Sequence, residues 1–401
     1  MRVLIFSTVY FPLIGGAEVA MREVTDRISD GSTEPALSRS PEPAEGEAEG
    51  LTTGVEFHMV CSRLKPGLAS NEKIGNITVH RVGFGRTFDK YLLPVLGTLK
   101  ALTLGRFDAI WSLMASYGGF TALAYTWIKP HTKLLLTLQE GDPLEHYAKR
   151  AGKLEFLHRK VFERADAVQA ISRFLAEWSV KMGFRGTPDV VPNGVDIVRF
   201  TSRITDDERG ELRTCYGFAE TDVVLVTASR LSLKNGIDDL IRSFVKLPAS
   251  YKLLIAGDGE DRQKLEVLTE QKGLVSRVVF LGSKSHHELP GILQASDIFV
   301  RASLSEGLGN SFLEAMAAGI PVIGTPVGGI PDFLTDGETG VFCQPRDPDS
   351  IVTAVLRIQN DPALRSRLIA NGERLVREKY GWDGIALRIR GMLTSLSSKN
   401  A

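Results

Sequence analysis

Short apolar stretches alternate with segments of helical periodicity along nearly the whole chain. We predict strands at RVLIFST, VEFHMVCS, ITVHRV, AIWSLM, KLLLTLQ, AVQAIS, DVVLVTAS, YKLLIAG, RVVFLG, DIFVRAS and IPVIGT. Helices such as 237–247 lie between them, with apolar residues at i, i+3, i+4, i+7 and i+8. Near-continuous apolar strands that alternate with helices are typical of parallel sheets covered on both faces. Because the pattern occurs twice, we predict an α/β fold of two doubly wound, Rossmann-like domains that face a central cleft.

Turn-forming residues indicate where the two domains meet. Pro192, Asn193 and Gly194 form a turn signal, and the segment after them is polar. We therefore place the first domain at 1–195 and the second at 196–379. The stretch 31–50 has five Glu, three Pro and no aromatic residue, which predicts a disordered insert without a catalytic part.

Composition excludes some classes of protein. The chain has 401 residues, and its 48 Lys and Arg balance 48 Asp and Glu, which argues against a dedicated nucleic-acid binder. Residues 58–185 are nevertheless basic, with nineteen Lys and Arg against ten Asp and Glu. This excess is able to attract anionic lipids or phosphates, so we expect peripheral membrane association through the first domain. A merely solvated surface is the commoner cause of such an excess.

Features that bear on location favour the cytoplasm, with the inner face of the membrane as the place of any peripheral association. Cys61, Cys215 and Cys343 are far apart and odd in number, which fits a reducing compartment. The opening apolar run is broken by Pro12, unlike a signal peptide. The uncharged window 109–128 is long enough for a membrane span, but its Ser, Gly and Thr residues favour a buried strand followed by a helix.

Three loops follow predicted strands at the edge where an open α/β sheet binds its ligands. They contain Gly15-Gly16, the basic pair Arg230 and Lys234, and the run Gly307-Leu308-Gly309-Asn310. Each precedes a helix, whose first N–H groups and macrodipole favour an anion. Taken singly these signals are weak, but together they predict a diphosphate held between the domains.

Two glutamates, Glu306 and Glu314, flank the third loop. A carboxylate accepts hydrogen bonds from both O–H groups of a diol, so Glu314 suits a ribose and Glu306 a sugar. The alternatives are a helix-start acid that stabilises the dipole for Glu314 and an exposed loop acid for Glu306.

The chain resembles glycosyltransferase family 4, which has the GT-B fold. The resemblance is carried by ASRLSLKNG, AGDGED and SEGLGNSFLEAMAAGIPVIGTPVGGIPDFL, with YFPLIGGAE and VVPNGVD in support. Glu306 and Glu314 match the E-x7-E signature of that family, and Arg230 and Lys234 match its basic pair. The likeness extends over the chain except for 31–50.

The resemblance implies a retaining transferase that moves a sugar from a UDP- or GDP-linked donor to a hydroxyl of a glycan, lipid-linked glycan or small molecule. It implies no bound metal and a helix at 380–401 that returns to the first domain. The Asp-Pro-Asp run at 347–349 favours a helix N-cap over a metal motif. Catalytic roles fall on Glu306, Arg230 and Lys234. The donor set is Gly15, Gly16, Arg230, Lys234, Gly257, Gly282, Glu306, Gly307, Leu308, Gly309, Asn310 and Glu314.

One position departs from the family pattern. Gln139 stands where the family commonly has histidine, and it is able to hydrogen-bond a sugar but not to carry charge. Glu140 and Asp142 lie beside it, and either acceptor binding or capping of the next helix accounts for them. We assign Gln139, Glu140 and Asp142 to the acceptor side.

Three rival functions stay open on the sequence. A dinucleotide-dependent oxidoreductase lacks its G-x-G-x-x-G motif here, although Arg63 and Lys65 suit a 2′-phosphate. A nucleotide-sugar epimerase of GT-B fold needs the same donor contacts but no acceptor. A non-catalytic nucleotide-sugar binding protein is the third rival, which Gln139 favours.

Overall fold

The chain folds into two compact units in the computed structural model, which describes residues 1–13, 15–29, 54–143 and 155–398. Unit 1 takes its described residues from 1–140, 155–193 and 382–398, and unit 2 comprises 141–143 and 194–381. The sequence analysis placed the domain boundaries after 195 and after 379, whereas the units divide after 193 and after 381. The predicted insert at 31–50 lies outside the described residues.

Unit 1 contains an eight-stranded sheet in the order β3-β4-β2-β1-β5-β6-β7-β8. The strands are β1 Arg2–Phe6, β2 Glu56–Ser62, β3 Asn71–Ile74, β4 Ile77–Val82, β5 Ala109–Leu113, β6 Lys133–Leu138, β7 Ala167–Ala170 and β8 Asp189–Val190. All described neighbours pair in parallel except β3 with β4. The strands β3 and β8 were not predicted. They are short and carry few apolar residues, so the apolar pattern does not mark them.

Six described helices belong to unit 1. They are α1 Gly16–Ser29, α2 Asp89–Thr103, α3 Tyr117–Ile128, α4 Glu155–Arg164, α5 Arg173–Lys181 and the C-terminal helix, Trp382–Ser398. The C-terminal helix packs in the core of unit 1, where Trp382, Ile385 and Ile389 are buried beside α1 and β1. Its Asp383 accepts a hydrogen bond from Arg27 of α1 at 2.8 Å. The expected return of 380–401 to the first domain corresponds to this helix.

Unit 2 contains a six-stranded sheet in the order β11-β10-β9-β12-β13-β14, with every neighbouring pair parallel. Its strands are β9 Val223–Ala228, β10 Tyr251–Ala256, β11 Val278–Gly282, β12 Ile298–Arg301, β13 Val322–Gly324 and β14 Val341–Phe342. The residues of β9, β10 and β12 are almost fully buried, as expected for strands covered on both faces. The sequence missed β14, which has only two residues.

Eight helices belong to unit 2. They are α6 Ile197–Thr201, α7 Asp206–Cys215, α8 Ile237–Ser243, α9 Arg262–Gln271, α10 Leu289–Gln294, α11 Asn310–Ala317, α12 Pro348–Asn360 and α13 Pro362–Lys379. The C-terminal helix of unit 1 is therefore α14. The Asp347 carboxylate accepts from the N–H groups of Asp349 and Ser350, which confirms the predicted N-cap of α12.

The helix predicted at 237–247 ends earlier, at Ser243. The N–H groups of Phe244, Val245 and Lys246 bond three residues back instead of four. Pro248 follows, and the α-helical conformation is disfavoured for Leu247, the residue immediately before it. The apolar stripe still marks the buried face, because Phe244 is fully buried, but this final turn is not α-helical.

The uncharged window 109–128 forms β5 and α3, as predicted. Within the described residues, no helix is both long and apolar enough to cross a membrane.

Candidate active site

The chain order reverses at β9 of unit 2. The strands β10 and β11 lie on one side of β9, and β12 and β13 lie on the other. Ligands of open α/β sheets bind outside the carboxyl ends of the strands at such a switch point. The loops after β9 and β12 start there, and they carry the predicted residues from Arg230 to Lys234 and from Glu306 to Asn310.

The loop after β9 presents two cations with different surroundings. The Arg230 side chain is 70% exposed and lies 3.4 Å from Glu260. Lys234 is more enclosed, and its Nζ donates to Asp142 at 2.9 Å. The sequence assigned Asp142 to the acceptor side, whereas the structure places it in unit 2. An anion that binds Lys234 therefore competes with the Asp142 carboxylate.

Backbone geometry holds the Lys234 turn against β12. Gly236 has a φ of 63°, and a Cβ there would lie 1.8 Å from the Ala302 carbonyl oxygen. The Leu304 N–H donates to the Lys234 carbonyl at 2.6 Å. Only glycine permits this approach, so the turn and the loop after β12 are held side by side.

The loop after β12 ends in a helix start without a side-chain cap. Gly309 occupies the N-cap of α11 with a φ of 102°, and no side chain accepts from the first turn. The Glu306 Oε1 atom accepts the Gly307 N–H at 3.1 Å. Open N–H groups at a helix start favour an anion. This loop therefore presents a carboxylate beside a helix start whose N-cap makes no side-chain hydrogen bond. The Gly307 and Phe312 N–H groups are already bonded, to Glu306 and to the Gly309 carbonyl.

A buried arginine that the sequence analysis did not select lies beneath this loop. Arg301, the last residue of β12, forms an ion pair with Glu306, and its guanidinium donates to Ser303 at 3.1 Å and to Ser311 at 2.8 Å. It also stacks 5.1 Å from the Phe312 ring centroid. Arg301 thus joins the end of β12 to the start of α11. An arginine within the apolar DIFVRAS segment was the signal that could have identified it.

Glu314 lies on the buried side of α11. Burial raises the pKa of its carboxyl to about 7, and the Arg301 charge opposes that shift. Burial likewise lowers the pKa of Arg301 to about 10, which leaves it charged at neutral pH. The Glu314 Oε1 atom is 3.8 Å from His286 Nδ1. Glu306 and Glu314 are therefore arranged around one buried cation.

A pocket of about 270 Å³ opens at the ends of β9, β10 and β11. It is lined by Ala228, Ser229, Arg230, Ala256, Gly257, Asp258, Ser283, Lys284 and Leu289. A Cβ on Gly257 would lie 1.9 Å from the Ser229 carbonyl oxygen, so this wall requires glycine. Gly282 ends β11 with a φ of 68°, and Ser283 and Lys284, which follow it, line that side of the pocket.

The carboxyl edge of the sheet in unit 1 holds the other predicted residues. The Gly15 N–H donates to Glu18 Oε2 at 2.7 Å, so a side chain of α1 already occupies it. A Cβ built on Gly16 meets no atom within 4 Å. Of this pair, Gly16 keeps the more open surroundings.

Gln139 and Glu140 follow β6 and contact the interior of unit 1. Gln139 accepts from Asn193 Nδ2 at 3.0 Å and lines a small cavity with Gln169 and Trp382. Glu140 accepts the Ala115 N–H at 3.0 Å, and its second oxygen has no partner among the described residues. Burial raises the pKa of Glu140 to about 7. The helix-capping alternative for Glu140 involves residues outside those described.

Two family models match the chain. The model described as glycosyl transferases group 1 matches residues 208–375. The glycosyl transferase 4-like domain matches residues 48–194. Together they account for most of both units.

Curated relatives match mainly over part of their length. An uncharacterized glycosyltransferase of Methanocaldococcus jannaschii is 35% identical over 199 residues, which are 49% of this chain and 51% of that protein. A GDP-mannose-dependent monoacylated alpha-(1-6)-phosphatidylinositol monomannoside mannosyltransferase of Corynebacterium glutamicum is 30% identical, over 59% of this chain and 64% of that protein. The match therefore spans between half and two thirds of these relatives.

Solved structures share the fold over nearly the whole chain. HepE from Anabaena, in complex with UDP and glucose, has a TM-score of 0.78 at 19% identity, covering 98% of this chain and 100% of that one. Sucrose-phosphate synthase from Thermosynechococcus elongatus has a TM-score of 0.80 at 20% identity, covering 99% of each chain. These neighbours establish a GT-B fold, as the sequence predicted.

Proposed function

The chain belongs to the group 1 glycosyltransferases, and we propose that it transfers a sugar from a nucleoside-diphosphate donor to an acceptor hydroxyl with retention at the anomeric carbon. HepE is in complex with UDP and glucose, and the Corynebacterium relative is named as GDP-mannose-dependent. Both UDP- and GDP-linked sugars are therefore candidates for the donor of this chain.

One observation in unit 2 carries the proposal. A methyl group built on Gly141 would lie 3.3 Å from Lys234 Nζ, 3.6 Å from the Gly307 nitrogen and 3.8 Å from Glu306 Oε1. The Lys234 ammonium, the Gly307 N–H and the Glu306 carboxylate that accepts it therefore surround one small volume. A sugar diphosphate offers negative oxygens to the cation and hydroxyls to the carboxylate.

We assign the residues to the steps of transfer as follows. The bond between the anomeric carbon and the phosphate oxygen breaks through an oxocarbenium-like state, and the acceptor oxygen bonds to the same face. The acceptor proton passes to the departing phosphate. Arg230 and Lys234 offset the charge that develops on the diphosphate, while Glu306 orients the donor sugar and Glu314 accepts from the ribose hydroxyls.

We propose that no metal ion is needed for this step. Lys234 lies next to the loop of Glu306, and Arg230 lines the pocket at the strand ends. Two cations at these positions are able to supply the charge that Mg²⁺ supplies elsewhere. Turnover that persists unchanged with excess EDTA would support this statement, and a loss that Mg²⁺ restores would refute it.

The edge of unit 1 is the proposed acceptor side. Gln139, Glu140 and Glu18 lie there or beside it, and none of them adds a positive charge. Neutral or acidic groups suit hydroxyls better than phosphates. A glycan or lipid-linked glycan fits this chemistry, and the lipid-linked class agrees with the name of the Corynebacterium relative.

A thermal-shift screen tests the donor assignment. A ligand at a hundred times its dissociation constant stabilises the folded state by about 2.7 kcal/mol, which is easily measured. We expect UDP or GDP, and one of their sugar conjugates, to raise the melting temperature, while NAD and NADP do not. A shift with a dinucleotide alone would favour the oxidoreductase instead.

A further inference from the structure

The α2 helix exposes an apolar stripe that the donor assignment does not use. Phe84 is 71% exposed, Tyr91 62%, Val95 63% and Leu99 57%, and Phe88 is 43% exposed. Phe88 at the N-cap and positions 91, 95 and 99 of the helix follow the spacing of one helical face. Five of the large apolar side chains that the described residues expose are therefore collected on α2 and the loop just before it.

The opposite side of α2 accounts for its folding. Leu93, Gly97 and Ala101 are buried there, and a Cβ on Gly97 would lie 3.0 Å from Thr121 of α3. The helix thus has one apolar face toward the sheet and α3 and a second apolar face toward solvent. The exposed face is not needed to hold α2 in place.

Charge around the stripe has one sign. Residues 84–106 contain four basic side chains, Arg86, Lys90, Lys100 and Arg106, and one acidic side chain, Asp89. Asp89 is fully buried, and its Oδ2 atom accepts the N–H groups of Phe84, Gly85 and Arg86. Arg86 and Arg106 are exposed, whereas Lys90 and Lys100 are half-buried and Lys90 lies over the Tyr91 and Tyr117 rings. The outward charge of this segment is therefore positive and comes mainly from Arg86 and Arg106.

The stripe starts at the ligand edge of the sheet. β4 runs parallel to β2, so its carboxyl end and the loop that carries Phe84 lie at the same edge as Gln139 after β6. The Tyr91 ring contacts Tyr117, the first residue of α3, with centroids 5.3 Å apart. If the exposed face of α2 rests on a membrane, an acceptor attached to a lipid of that membrane is close to this edge of the sheet.

We propose that the face formed by Phe84, Phe88, Tyr91, Val95 and Leu99 docks on an anionic lipid bilayer, with the basic residues of 84–106 at the headgroups. This inference rests on the proposed function, because it states where the acceptor is met. Aromatic and aliphatic side chains flanked by Lys and Arg are the composition of helices that lie in the membrane interface. A second copy of the chain fits poorly, because two such faces would bring like charges together.

Vesicle sedimentation with the full chain tests the proposal. The vesicles are phosphatidylcholine alone, or equal parts of phosphatidylcholine and phosphatidylglycerol. We expect binding to the anionic vesicles, weakened by salt. Phe84→Ser, Val95→Ser and Leu99→Ser together should lower binding about tenfold or more. Arg86→Gln, Lys90→Gln and Arg106→Gln together should lower it about a hundredfold, at roughly fivefold a charge.

Matched variants of unit 2 are the control. Val245, Val267 and Val275 are 54%, 43% and 64% exposed, and their triple change to Ser should leave vesicle binding unchanged. The triple change of the exposed Arg242, Lys264 and Lys272 to Gln controls for charge. Absence of wild-type binding, or equal losses in test and control variants, would overturn the proposal.

Two further measurements separate the outcomes. One adverse result is a dimer, detected by light scattering, that the Val95 and Leu99 substitutions dissociate. That result would assign the face to a second copy of the chain and overturn the proposal. Thermal shifts with UDP and GDP should be the same for all variants. Vesicle binding without any nucleotide shift would refute the donor assignment while the docking face stands.

Discussion

The carboxyl edges of the two sheets differ in how their buried acids are compensated. In unit 2, Glu306 and Glu314 share Arg301, which is itself enclosed. In unit 1, Glu140 accepts the Ala115 N–H and forms no ion pair with any described residue. Burial nevertheless raises the pKa of Glu140 and Glu314 alike, to about 7.

This contrast indicates what each edge is built to bind. The Arg301 charge offsets the repulsion between the Glu306 and Glu314 carboxylates and a nearby phosphate. The edge of unit 2 therefore suits a ligand with both anionic and hydroxyl groups. An acid held by backbone N–H groups suits an uncharged ligand. The experiments below test that contrast, from the largest expected effect to the smallest.

Removing the shared cation should have the largest effect. Arg301→Met leaves Glu306 without its ionic partner, and breaking a buried pair from one side costs about 3–5 kcal/mol. We expect the urea midpoint of Arg301→Met to fall accordingly. The double variant Arg301→Met with Glu306→Gln should recover part of that lost stability. Arg230→Met is the control, because its side chain is 70% exposed. Equal stability of the two single variants would contradict the role given to Arg301.

Removing the enclosed lysine should act on turnover instead of folding. Lys234→Ala removes a preorganised cation from the departing diphosphate, and loss of one such group costs roughly 2.7–4 kcal/mol of barrier. Turnover should therefore fall about a hundredfold to a thousandfold while the melting temperature changes little. Lys264→Ala removes an exposed lysine of the same unit and should retain activity. Near-normal turnover of Lys234→Ala would remove the diphosphate assignment.

The ribose assignment predicts a smaller effect on affinity. Glu314→Ala removes a carboxylate acceptor, and a hydrogen bond to a charged group contributes about 1.5–3 kcal/mol. Calorimetry should show UDP or GDP binding weakened about tenfold to a hundredfold. Glu288→Ala, an exposed acid, is the matched control. Unchanged nucleotide affinity of the Glu314 variant would contradict the assignment.

The two raised carboxyl pKa values predict a pH dependence of stability. The pKa of Glu140 is about 7 in the folded chain against an ordinary 4.5. The folded state binds that proton more tightly, so the stabilisation is present below pH 4.5 and is lost as the pH rises through 7. Glu314 behaves alike. His80, with its pKa lowered by burial to about 4, acts in the opposite direction and destabilises the fold as the pH falls from 6.5 to 4.

Variants separate these contributions. Glu140→Gln keeps an acceptor for the Ala115 N–H and should flatten the decline in the free energy of unfolding between pH 4.5 and 7. Arg301→Met should make the decline that Glu314 causes steeper, because the Arg301 charge lowers the pKa of Glu314. The decline that Glu140 causes should not change in this variant. Chemical denaturation across that pH range measures both, and a response of Glu140 to Arg301 would remove the contrast between the edges.

The insert should matter least. Residues 31–50 lie outside the described residues, and their composition lacks the apolar area needed to form a core. We expect a chain without 32–50 to keep almost full activity at an unchanged melting temperature. A folded but inactive deletion would show that the insert contributes to one of the two edges.

Much of the fold could be predicted because local patterns report local structure. The apolar stretches marked eleven strands, and the missed β3, β8 and β14 are two to four residues long. The end of α8 was missed because the stripe around Phe244 marks burial, whereas the N–H groups there bond three residues back instead of four. The groups around Gly141 were harder to predict, since Asp142 precedes Lys234 by 92 residues.

The sequence by itself determined the alternation of strands and helices, the glycines and charges at the strand ends, and the spacing of Glu306 and Glu314. These features depend on residues close together in the chain. Only the tertiary structure decided that Arg301 pairs with Glu306 and acts on Glu314, that Glu18 occupies the Gly15 N–H and that one face of α2 is exposed among the described residues. Periodicity shows which residues share a face, but whether a face or a charge is buried depends on distant segments, through the desolvation and pairing that they impose.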